Sequence, residues 1–460
     1  MSQERPARRA RPKKPANPLV KGIAAYCGQA GVTIVEERDS ISQNDTGHNH
    51  PHITLSLADL PKRYTIYAPL LLLPFNFPTH SSRWTAVYSA LTNVEKNELF
   101  QCIAEDGFAG TVSRIAINAP IAAEEGADYA DAGGMGEVEN RSGLRKENVL
   151  RSPSGLVPVY GGWGLQPGRK LGRPTAEDFE QAFWTSTSQH KGITQCWAPL
   201  YTMFSRGNIS EKARILGSLL EAGKANNVAI PQFAGLTDHE LGESLGSIDV
   251  VDFYVGIGYF ASCYLARGVR RVWGWDINPW SIEGLRRGCE QNGWGCLVVE
   301  VDDQGNVVGM KTEELVEKIL KGDRKGDEHT VRCVAFLGNN MWAYKVMGDI
   351  HRRGVRLNAR HANLGLLPTS EGSWEGAVKV ILRLNGAGRG GWLHVHENVD
   401  VRHIETMESS IIQDIGRMLQ GQSLEEEVPW TVSCDHVAKV KTYAPGVMHC
   451  VFDIQIKPNG

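Results

Sequence analysis

The sequence predicts an α/β protein: a mostly parallel sheet with helices on both faces, preceded by a smaller α+β part. Three observations predict it. Short apolar runs alternate with stretches of helical period through the second half of the chain. One run, Val250-Val251, ends at Asp252 and turns through Gly256-Ile257-Gly258 into the helical pattern Tyr259 to Ala266. Another, Val272 to Trp275, ends at Asp276, about 20 residues past those glycines.

Strand, glycine turn, helix, strand, acid is the order in which an open α/β sheet binds a nucleoside. A residue without Cβ lets the backbone approach a ligand, and the acid accepts hydrogen bonds from ribose hydroxyls. The third glycine of the dinucleotide fingerprint is replaced here by Ala261, and Asn278-Pro279 opens the next helix. Gly256 and Asp276 are therefore cofactor-binding candidates, and these residues leave NAD and S-adenosylmethionine both open.

With 460 residues, 42% of them hydrophobic, the chain can bury two or three cores. No run of eighteen apolar residues occurs, so no membrane partner is expected. Ala68 to Phe77 is apolar but short and interrupted by prolines, which predicts a buried strand. The net charge of -3 decides nothing about nucleic acid, since binding follows local patches. Nine cysteines without a CxxC pair or secretory leader suit a reducing, cytoplasmic compartment. The cluster His48-Asn49-His50-Pro51-His52 lacks a cysteine or carboxylate at ligand spacing and reads as a solvated loop, so no metal is expected.

In chain order, residues 1–21 carry seven basic side chains among prolines and read as a disordered basic tail. Residues 22–185 form the α+β part, with strands at Tyr64 to Tyr67 and Thr111 to Ile117 and a mobile acidic loop at Ala122 to Glu139. Pro158 to Pro174 is a glycine-rich linker whose Arg169 and Lys170 could line an RNA path. Residues 186–460 form the larger α/β domain. Ile193 to Met203 has strand character, and an amphipathic helix runs from Ser210 to about Ala222. The knot Ser205-Arg206-Gly207-Asn208 between them is either a turn and cap or a set of groups facing an anion.

Beyond the glycine stretch, an insertion from Asp302 to Glu328 precedes a strand, Val331 to Leu337, that runs into Gly338-Asn339-Asn340. Amides at a strand's carboxyl end suit an adenine or ribose, or are an ordinary turn. His361 to Ser370 ends a fourth strand, a helix follows from Trp374 to Leu384, and Gly391 to Asn398 makes the next strand. His394 and His396 share a face of it, as metal ligands or, more commonly, core histidines. A helix from His403 to Leu419 leads to an antiparallel hairpin, Val437 to Thr442 and Met448 to Ile456.

Six ordered segments, WAPLYTMFSRGNISEK, VVDFYVGIGYF, WDINPWSIEGLRRGCEQNG, NLGLLPTSEGSW, HVHENV and VKTYAPGVMHCVFDI, resemble the eukaryotic, fungal-type wybutosine-synthesising tRNA aminocarboxypropyltransferases. They span most of the chain from Gln195 to Ile456, and weaker likeness extends through KRYTIYAPLLLL, IAINAPI and LRSPSGLVPVYGGWG. The resemblance implies a class I methyltransferase-like, Rossmann-type fold binding S-adenosylmethionine. It implies transfer of that donor's 3-amino-3-carboxypropyl group to a ring carbon of 4-demethylwyosine, 3′ of the anticodon in tRNA-Phe, with the anticodon arm as partner. It also implies cofactor contacts from Ser205 and Lys212, with Asp276 standing where the family usually has a ribose-binding glutamate. Asn339 and Asn340 fall where the family commonly has Asp-Asn. Arg206 is a candidate for a tRNA phosphate or the target base, and no general base is implied.

Two rivals carry different tests. A tRNA guanine-N1 methyltransferase resembles this chain around the glycine turn and the YAPG hairpin but releases S-adenosylhomocysteine in place of methylthioadenosine. A non-catalytic RNA-binding protein with a decayed pocket is kept open by Asn339, and fails if S-adenosylmethionine binds.

Overall fold

The computed structural model describes residues 16–35, 54–118, 155–164, 173–189, 192–202, 208–217, 233–322, 330–385, 388–422 and 429–459, with two-residue strands at Glu124–Glu125 and Lys146–Glu147. It divides into two compact units, Met1–Asn148 with Pro153–Pro167, and Val149–Ser152 with Gly168–Gly460.

In the first unit a helix, Pro18–Gln29, begins inside the stretch assigned to the basic tail. Proline suits a first helical position, and Asn17 Oδ1 accepts from the amides of Leu19 and Val20 at 3.0 and 3.3 Å. Residues 1–15, the His48 to His52 cluster and nearly all of the acidic loop lie outside the described residues. A four-stranded sheet follows in the order Thr65–Tyr67, Leu70–Pro74, Arg114–Asn118, Leu156–Tyr160. The apolar run Ala68 to Phe77 supplies its second strand, with Leu70, Leu71 and Leu73 fully buried.

The second unit starts earlier in the chain than the expected boundary at residue 186. The helix Ala176–Ala182 belongs to it because Phe179 lies edge-on to Trp280 at 5.0 Å. A hairpin, Thr185–Gln189 with Ile193–Trp197, follows, so the expected strand stops at Trp197. Next comes α1, Ile209–Leu216, ending at Gly217 with φ of +50°.

The main sheet holds β1 Asp249–Asp252, β2 Arg271–Asp276, β3 Gly295–Val301, β4 Val307–Val308, β5 Val331–Leu337, β6 Ala359–Leu364, β7 Gly391–Asp400, β8 Trp430–Ala444 and β9 Val447–Pro458. Their order is β4-β3-β5-β2-β1-β6-β7-β9-β8. The six strands from β3 to β7 in that order run parallel, and β9 runs antiparallel between β7 and β8. Strand order reverses between β1 and β6, so the ligand crevice opens at their carboxyl ends.

Crossovers α2 Ala261–Arg267 and α3 Pro279–Gln291 cover one face, with α1. α4 Thr312–Gly322, α5 Ala343–Arg352, α6 Trp374–Arg383 and α7 Ile404–Gln420 cover the other. Alternation in β2 sorts the layers: Val272 faces the first group, while Trp273 and Trp275 face the second, where Trp275 stacks on Phe336 at 4.3 Å. Some elements went unread in the sequence, β3 and α4 among them. β3 is a short apolar run, and α4, inside the polar insertion, buries Leu315, Val316 and Ile319.

Candidate functional site

The glycine turn leaves β1 with Gly256 at φ +55° and Gly258 at +86°, conformations that favour glycine. A Cβ on Gly256 would sit 3.0 Å from the Tyr259 ring. The Gly256 amide donates to Asp276 Oδ2 at 2.9 Å, and the Asn278 amide donates to Oδ1 at 2.8 Å. Asp276 thus ties the turn after β1 to the end of β2 and keeps lone pairs for a ligand. Its surroundings displace water and push its pKa up to about 6, opposed by those amides and that of Ile277.

Asp252, one residue type the sequence marked only as a strand end, lies 1% exposed beside it. Asp252 Oδ1 accepts from Asn363 Nδ2 and from the Tyr254 amide, each at 3.2 Å. Its Oδ2 has no protein partner. Burial raises its pKa to about 7, against the lowering effect of Asn363 and Tyr254. An acid just before a glycine turn was the available signal.

Lys212 projects from α1 and is 2% exposed. Its Nζ donates to Gln195 Oε1 at 3.0 Å and lies 5.2 Å from the Tyr259 ring centre. Gln195 Nε2 in turn donates to the Gly258 carbonyl at 2.9 Å. A neutral amide therefore links the ammonium to the glycine turn, and burial lowers the lysine's pKa. The same helix is bolted down by Arg214, which bonds Glu211 at 2.9 Å and Asp453 of β9 at 2.6 Å, all three buried.

Asn339 and Asn340 reach the same edge but spend side-chain groups on holding it. Asn339 Oδ1 caps the following turn through the Met341 amide at 3.0 Å. Asn340 Nδ2 donates to the Phe253 carbonyl at 2.6 Å, joining the end of β5 to the loop after β1. Ser205 and Arg206 lie outside the described residues; the segment toward them starts at Tyr201, stacked on Trp280 at 4.0 Å between ring centres.

His394 and His396 are core histidines, the commoner of the two alternatives. His394 Nδ1 meets Asp453 Oδ1 at 2.7 Å and its Nε2 meets His361 Nδ1 at 2.9 Å; His361 Nε2 reaches the Gly235 carbonyl at 2.8 Å. His396 Nδ1 meets His449 Nε2 at 3.0 Å. Burial opposes charge on Asp453, yet His394 and Arg214 hold its carboxylate well below the usual range.

A reversing parallel sheet closed by an antiparallel strand, with an acid at the end of β2 facing a glycine turn, defines a class I methyltransferase-like fold. No family model matches the chain. The tRNA wybutosine-synthesizing protein 2 of Schizosaccharomyces pombe is 33% identical over 413 residues, 88% of this chain and 75% of that one. Its namesake in Saccharomyces cerevisiae is 28% identical over 450 residues, 90% and 78%. Pyrococcus horikoshii TYW2, solved in complex with MeSAdo, is 15% identical, covering 87% of this chain and 92% of its own at a TM-score of 0.45. The chain belongs to the tRNA wybutosine-synthesizing protein 2 family.

Proposed function

We propose that this enzyme transfers the 3-amino-3-carboxypropyl group of S-adenosylmethionine to a ring carbon of 4-demethylwyosine, 3′ of the anticodon in tRNA-Phe, releasing methylthioadenosine. The family's name supports wybutosine synthesis on tRNA. The single observation that carries the chemistry is Lys212, a buried ammonium held beside the glycine turn by a neutral amide. A buried cation in such a setting favours an anionic group arriving from a ligand.

The residues fit S-adenosylmethionine. Asp276 accepts from the ribose hydroxyls, Gly256 and Gly258 leave backbone open to close approach, and Asn339 and Asn340 border the adenine side. Lys212 takes the methionine carboxylate, and the unpartnered Asp252 Oδ2 is an acceptor at the same edge. When bound, the donor supplies a sulfonium with several electrophilic carbons, of which the one held in line reacts. Lys212, fixed by Gln195, selects the amino-acid arm by anchoring its far end. The new carbon–carbon bond forms as a carbon–sulfur bond breaks, the electron pair going to sulfur and the ring proton to solvent. Loss of positive charge favours a dry apolar setting, which Val255, Ile257 and Phe260 provide without a strong base. Ser205 is assigned to the donor and Arg206 to a tRNA phosphate or the target base, by resemblance.

The test uses S-adenosylmethionine labelled in its methionine backbone with tRNA from cells blocked at the preceding step. Label should appear in the tRNA. Label absent from tRNA, with donor bound, contradicts the proposal.

A further inference from the structure

Away from the cofactor edge, three cysteines meet. Cys289 sits in the last turn of α3, Cys296 is the second residue of β3 and Cys333 the third of β5, all toward the amino-terminal ends of the parallel strands. Their sulfurs all lie within 4.8 Å of one another. Two features of the backbone bring them together. The β3–β5 register shifts after Gly295, so that Gly295 faces Val331 but Cys296 faces Cys333, skipping Arg332. Such an irregularity re-aims a side chain. Arg332 is turned away to the carbonyls of Arg270 and Val269 at 2.8 and 2.7 Å.

We infer that Cys289, Cys296 and Cys333 form a three-thiolate site for one thiophilic divalent cation of the zinc class. Zinc–thiolate bonds of about 2.3 Å place sulfurs roughly 3.8 Å apart, so the observed spacing needs side-chain adjustments of about 1 Å or less. Thiolates select such ions over hard cations. Cys289 and Cys333 are buried, whereas Cys296 is half-buried and leaves an approach for the ion and a solvent water as fourth ligand. Bound there, the ion would pin the edge strand β3 to β5 and α3. The site is independent of the proposed transfer reaction.

The reduced full-length chain, stripped with a chelator, is titrated with Cd(II) while the thiolate-to-metal charge-transfer absorption is followed, and with Zn(II) against a chromophoric chelator. One equivalent should bind, with affinity reduced at least about 100-fold in Cys296→Ser and in Cys289→Ala. Zn(II) should raise the Tm of the unaltered protein and leave that of the variants unchanged. Circular dichroism checks that the variants fold, and the titration of the unaltered chain decides the matter even if they do not. No uptake by the folded reduced chain, uptake indifferent to these substitutions, or a disulfide within the trio with no uptake after reduction overturns the assignment.

Discussion

Lys212 is the residue on which donor orientation turns. Replacing it with Ala should leave the fold intact and lower transfer by about 100-fold, because a charge-assisted contact of roughly 2–3 kcal/mol is lost. Kinetics matching the unaltered enzyme would refute the role. Gln195→Ala should cost less, since the ammonium stays but loses its tether to the Gly258 carbonyl. Asp252 gives a pH signature. Its carboxyl rises from 3.8 to about 7 on folding, so its contribution to stability is complete below pH 4 and declines as pH climbs through about 7. Buried His361 and His396 have depressed values and contribute the opposite slope below about 6.5, so the comparison must be made against a variant. Relative to the ligand-free parent, Asp252→Asn should gain stability in denaturant titrations between pH 4 and pH 8, by at most about 4 kcal/mol. A constant difference across that range contradicts the raised carboxyl. Asp276 was legible because glycine turn and acid lie close in sequence. Gln195 was not, because its partners Lys212 and Gly258 come from separate segments joined only in the fold.

At the level of elements, α1 is positioned by an ion cluster and not by its own propensity. Glu211, Arg214 and Asp453 are each at most 3% exposed. Removing the cation leaves the buried Glu211 carboxylate unpaired and Asp453 with His394 alone, so Arg214→Ala should destabilise the chain by about 3–5 kcal/mol and displace Lys212 with it. A Tm within a degree of the parent would count against this arrangement. Regular periodicity made β1, β2, β5, α6 and α7 readable to within a residue or two. β3 escaped because its run follows directly on α3 with only Asn292, Gly293 and Trp294 between. α4 escaped because its surface charge, Glu313 to Lys321, masks a buried stripe. The hairpin β8–β9 proved longer than expected, since β8 pairs with β9 back to Trp430, through polar residues such as Ser433 and His436.

For the whole molecule, the parallel sheet was implied by the glycine turn, and a smaller α+β part was expected ahead of it. Phe179 and Phe183 join Trp280 of α3, a pairing that composition cannot reveal. A substrate as large and charged as tRNA adds a salt signature: affinity should fall linearly on a log–log plot with added salt as phosphate contacts are screened. A flat plot would point away from an RNA arm. Among the described residues no helix is long and apolar enough to cross a membrane. The central claim, that the amino-acid arm and not the methyl is delivered, is tested most directly by chromatography of the small product after turnover with tRNA. Methylthioadenosine formed in step with modified tRNA is the predicted result, and S-adenosylhomocysteine in its place would contradict it.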